Sequence, residues 1–135
     1  MAQMLNPHEE ELIRKFMVHD RRLFFLRGLS GSPKLRQETV GHMCHFCDWV
    51  PGTAHQIPVS DHPPKMVHRL LIEKGAPKVC HVMSEGDLNG RDLDLNQAIE
   101  IAIDQVPWCA IISCIPGKLA FYQVEYPEEC YILQR

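Results

Sequence analysis

From about residue 79 onward the apolar residues stop recurring at helical spacing and gather into short runs. They occupy 79–84, 109–115, 119–125 and 130–133, each bounded by polar or turn-forming residues. Runs of this length read as strands, whereas the apolar residues ahead of them recur at three and four positions, as a helix face requires. A helical front, 1–75, followed by a sheet-containing half, 76–135, confines a chain of 135 residues to one α+β domain.

Turn chemistry orders the second half. Asp94, with Gln97 three residues on, caps a helix whose inner face is Leu95, Ala98, Ile99, Ala102 and Val106. Pro116-Gly117 fits the centre of a type II turn, and Tyr126-Pro127-Glu128-Glu129 makes the next one. Residues 84–94 read as a polar loop. The order strand–helix–strand–strand–strand predicts a four-stranded mixed sheet. If its first two strands are parallel neighbours, the crossover between them is right-handed, and its last three form an antiparallel meander.

Three helices precede this sheet and are predicted to cover one of its faces. The first spans about 7–27: Asn6 is a good N-cap, Pro7 suits the first helical position, and Glu9–Glu11 favour the positive end of the dipole. At about 100° per residue, Leu12, Ile13, Phe16, Met17, Leu23, Phe24 and Leu26 share one arc. Asp20 falls within that arc, and a buried Asp20 needs a partner. Arg14, Lys15, Arg21 and Arg22 lie opposite, with Val18 and Phe25 among them. A second helix follows at 33–46 and a third at 64–74, ended by Gly75 and Pro77. The stretch between them holds Pro51, Gly52, Pro58, Pro63 and Pro64 and reads as irregular.

Charge is sorted along the chain. Residues 14–36 carry seven bases and one acid, and residues 79–135 carry nine acids and three bases, although the whole chain is only −3. Such a split bears on partners and assembly. It predicts a non-catalytic interaction or regulatory module, with Arg14, Lys15, Arg21 and Arg22 meeting the acidic Glu125, Glu128 and Glu129 within one molecule or between copies. A protein partner or self-association follows. The same basic helix face offers a second reading, nucleic-acid binding, in which Phe25 stacks on an unpaired base. The chain contains no apolar run near the ~20 residues a membrane helix needs, and its first residues are acidic where a secretory signal is basic and then apolar. A cytoplasmic location is the expectation.

Three further patterns bear on chemistry. His42, Cys44, His45 and Cys47 carry zinc-preferring atoms, and Cys44-x-x-Cys47 has ligand-like spacing, giving a third reading as a zinc- or thiol-dependent site. On a helix the histidine pair and the cysteine pair point in roughly opposite directions, so one ion cannot take all four. His55, His62 or His68 would have to complete a site. The six cysteines are predicted to stay unpaired, with Cys80, Cys109 and Cys114 acting as small hydrophobes. For catalysis, Ser113 or Cys114 is the candidate nucleophile, His81 the base and Glu85 its orienter, with Ser84 nearby. Nothing in their spacing requires them to meet. The 85–90 loop lacks the final Glu of a calcium loop, and 28–34 lacks the ending of a phosphate-binding loop.

Overall fold

The computed structural model describes residues 5–45, 48–58, 63–84, 88–105, 109–124 and 130–135. Three helices lead: α1 (Pro7–Phe16), α2 (His19–Leu29) and α3 (Pro33–His45). A short strand β1 (Ala54–Gln56) and helix α4 (Pro64–Glu73) follow. Then come β2 (Val79–Ser84), β3 (Arg91–Asp94), α5 (Leu95–Glu100), β4 (Ala110–Ile115), β5 (Leu119–Gln123) and β6 (Cys130–Gln134). A π-helical turn, Ile101–Gln105, continues α5.

The α+β class matches the sequence reading, but the sheet does not. It has six strands, all antiparallel, in the order β1-β6-β5-β4-β2-β3. Two short edge strands account for the difference. β3 pairs with β2 inside the stretch read as a polar loop, with His81 opposite Asp92. β1 pairs with β6 inside the stretch read as irregular, with His55 opposite Ile132. Because β3 reverses the chain, β4 returns antiparallel to β2. The crossover through α5 therefore joins β3 to β4, with β2 between them.

The helices also cover both faces rather than one. Leu12, Ile13, Phe16, Phe25, Leu29, Val40 and Met43 of α1–α3 pack on Met83, Ile111, Ala120 and Tyr122. On the opposite face Val67 and Leu71 of α4 join Leu95, Ala98 and Ile99 of α5 over Val82, Ile112, Phe121 and Ile132. The continuous apolar run of β4 is the reason: a strand buried on both sides needs a layer on each.

The predicted first helix is two helices. Met17 and Val18 are extended, with ψ of 141° and 145°. There the chain forms a bridge to Trp49, with Val18 N–H donating to Asp48 O at 3.0 Å and Val50 N–H to Phe16 O at 2.7 Å. The break resets the helical phase. Phe25 turns into the core, while Leu23 and Phe24, predicted buried, are 58% and 53% exposed. Asp20 comes to the surface with them. Gly28 lets α2 and α3 touch, since a Cβ there would lie 2.0 Å from Thr39 Oγ1.

The turn at Pro116-Gly117 forms as read, with Gly117 at φ +70° and Lys118 N–H donating to Ile115 O at 3.0 Å. Asp94 caps α5 by accepting from Gln97 N–H at 3.1 Å.

Candidate functional site

Glu9 lies on the same stripe of α1 as Leu12, Ile13 and Phe16, which drives a carboxylate into the interface between α1 and the sheet. It is 1% exposed. A buried carboxylate needs compensating donors, and three elements supply them. Arg36 of α3 grips it bidentately, Nη1 on Oε1 and Nη2 on Oε2, each at 2.5 Å. His81 of β2 donates from Nε2 to Oε2 at 2.6 Å. The other His81 nitrogen, Nδ1, faces Asp92 Oδ1 of β3 at 2.7 Å. A guanidinium, an imidazole and two carboxylates thus form a chain running from the core to the exposed Asp92.

Protonation follows from these contacts. Burial pushes the Glu9 pKa up, but the Arg36 hydrogen bonds and then those from His81 outweigh it and hold it at about 2. Burial pulls His81 down, but hydrogen bonds to Glu9 and Asp92 leave its pKa raised, as an imidazole with a carboxylate on each nitrogen requires. His8 stacks on His81 with ring centroids 5.5 Å apart. Its pKa is lowered, first by burial and then by the His81 charge. His8 Nδ1 and the Ser113 hydroxyl of β4 are hydrogen-bonded, 2.8 Å apart.

The sequence-derived catalytic candidates therefore meet in part. Ser113 sits opposite His81 in the β2–β4 register, yet its hydroxyl is taken by His8. Ser113 and His81 are each only 1% exposed. Ser84 is buried opposite Ala110, and Glu85 lies outside the described residues. Cys114 faces the other layer, where burial pushes its thiol far above the ordinary range. Burial likewise takes Cys80 to about 12 and Cys130 to about 11, so these thiols are inert hydrophobes.

The cysteine expectation fails at one pair. Cys44 and Cys109 form a disulfide, Cα atoms 5.4 Å apart, tying the end of α3 to the start of β4. Its sulfur so engaged, Cys44 is not the zinc ligand the spacing suggested. His42 is exposed and lies edge-on to Phe24 at 5.8 Å. The His45 side chain, Cys47 and His62 lie outside the described residues, while His55 and His68 sit on β1 and α4. No group of three or more His, Cys, Asp or Glu side chains placed to hold a metal occurs among the described residues. Nor is any helix among them long and apolar enough to cross a membrane.

The basic face of the predicted long helix is divided by the break at Met17. Arg14 and Lys15 stay exposed on α1, with Arg14 paired to Glu10 at 3.2 Å. Arg22 turns back to donate to Met17 O at 2.8 Å, and Arg21 lies over the Phe24 and Phe25 rings at 6.0 and 5.8 Å. Phe25 is fully buried and offers no face for stacking. Glu125, Glu128 and Glu129 lie outside the described residues. In their place α2 presents Asp20, Leu23, Phe24 and Arg27, all exposed, at spacings of three, four and seven. Leu35 of α3 stands nearby at 44% exposure.

Compared with family models, curated proteins and solved structures, the chain matches none.

Proposed function

We propose that the protein is a non-catalytic interaction module that pairs with a second copy of itself through α2. The observation that carries this is the exposed row Asp20–Leu23–Phe24–Arg27. Residues at these spacings share one face of a helix. An acid at one end, a base at the other and two large apolar residues between them make a row complementary to itself. Under a two-fold axis, antiparallel α2 helices set Asp20 against Arg27 of the other copy at both ends and bring Leu23 and Phe24 together at the centre. Isologous contacts of this kind are the commonest route to a soluble dimer.

The internal saturation of the charged chain supports the non-catalytic half of the reading. Each Glu9 oxygen and each His81 nitrogen already has a partner, and Ser113 is committed to His8. Such an arrangement holds elements together and leaves none of these buried atoms free for a substrate. The apolar centre supplies most of the association energy, because exposed ion pairs contribute only about 0–1 kcal/mol each and are screened by salt.

Sedimentation equilibrium at high micromolar concentration tests the pairing. A dimer in low salt that weakens modestly in high salt is expected, with Phe24→Asp monomeric. Asp20→Arg and Arg27→Asp alone weaken the dimer, and the two together restore it. A monomeric wild type in low salt overturns the proposal, as does a charge-swapped double variant no better than its parents.

A further inference from the structure

Away from α2, on the other layer of the molecule, a groove of about 630 Å³ runs between α4 and the β3–α5 junction. Lys65, His68 and Ile72 line one wall. At spacings of three and seven they form a single stripe of α4. Lys78, Asp94 and Asn96 line the other. We infer that this groove binds a small organic phosphate ester.

Its size lies within the range of small-molecule sites. Lys65 and Lys78 are both exposed, and neither is ion-paired among the described residues, so two ammonium groups flank the same space. One carboxylate, Asp94, also lines the groove; it caps α5 by accepting from Gln97 N–H at 3.1 Å and keeps its charge, so the two lysines leave the lining an excess of one positive charge. The Asn96 amide, which also donates to Glu100 Oε1 at 3.4 Å, and the His68 ring add polar N–H groups to the lining. A phosphate dianion accepts from several N–H groups at once, and charge-assisted bonds to lysine are about twice as strong as neutral ones. Ile72 is 45% exposed, an apolar surface at one end of the cationic stripe. Cations with an adjoining apolar wall favour an ester, with a carbon-bearing group beside the phosphate, over the free inorganic ion.

Amide shifts on titration with phenyl phosphate test this, with inorganic phosphate and phenol as parallel arms. Phenyl phosphate should give saturable shifts confined to residues around 65–72, 78 and 94–96. Inorganic phosphate should reach the same residues more weakly, and phenol should leave them unmoved. Lys65→Gln with Lys78→Gln, both surface positions, should weaken phenyl phosphate binding about tenfold or more. Shifts that never saturate, that scatter over other basic residues, or that persist unchanged in the double variant overturn the inference. Equal binding of inorganic phosphate and phenyl phosphate overturns the part assigned to Ile72. Because this groove is remote from α2, its failure leaves the dimer reading intact.

Discussion

Replacing Glu9 by Gln keeps the shape of the side chain and deletes its charge, so it isolates what the carboxylate does for stability. A pKa moved from 4.5 to about 2 corresponds to about 3 kcal/mol, at about 1.4 kcal/mol per pH unit. The figure needs little discount for solvent, because Glu9 is 1% exposed. It also agrees with the roughly 3–5 kcal/mol lost when one member of a buried ion pair is removed. The sign fixes the pH dependence. A depressed folded-state pKa contributes stability that is complete above the unfolded value of 4.5 and disappears as pH falls through the folded value near 2. Urea unfolding of wild type and Glu9→Gln at a series of pH values should therefore show a gap of about 3 kcal/mol at pH ~6, closing steadily between about 4.5 and 2. A gap below about 1 kcal/mol at pH ~6, or one that does not change with pH, refutes the reasoning.

His81 governs the alkaline side. Its folded-state pKa is raised above 6.5, so its contribution is complete below 6.5 and fades as pH rises through the folded value. Wild-type stability should accordingly fall on that limb, and His81→Gln should flatten it in the same titration. Reducing the Cys44–Cys109 bond, which closes a loop of 65 residues, should cost about 4 kcal/mol by loop-closure entropy. Lowered urea midpoints for the reduced protein and for Cys44→Ala with Cys109→Ala would check this, and unchanged midpoints would count against it. Gly28→Ala should destabilise by about 1–3 kcal/mol, because its methyl group would sit on Thr39 Oγ1. Gly28→Ala combined with Thr39→Ala, which removes that oxygen, should recover part of that loss.

Much of the fold was legible wherever local chemistry decided it. Asn6 and Pro7, Pro64 and Gly75, Asp94 with Gln97, and Pro116-Gly117 all mark boundaries the structure keeps. The break at Met17 was harder to see, because it is made by pairing with Trp49, far along the chain. A signal was nevertheless present: the β-branched Val18 just ahead of Asp20 resembles the start of a helix, with an acid in its first turn. β1 and β3 lack strand composition and are recruited by their neighbours, which is how tertiary context overrides propensity. The charged chain had a readable clue in Glu9, an acid on the stripe of Leu12, Ile13 and Phe16, and another in Arg36, which shares its stripe with Val40 and Met43. The demand for a buried partner was assigned instead to Asp20, which the reset helical phase carries to the surface. The disulfide was not legible, since spacing says nothing about which distant strand meets Cys44.

The two outermost strands limit how copies of this chain can meet. β1 has three residues, and β3 carries Arg91, Asp92 and Asp94 among its four. Neither leaves a long, flat, uncharged row of free amide and carbonyl groups on which another molecule's strand could be laid down. End-to-end propagation of the sheet into ribbons is thereby discouraged at both margins, and any association between copies is diverted to the helical layers, where a closed pair can form without continuing into a fibre.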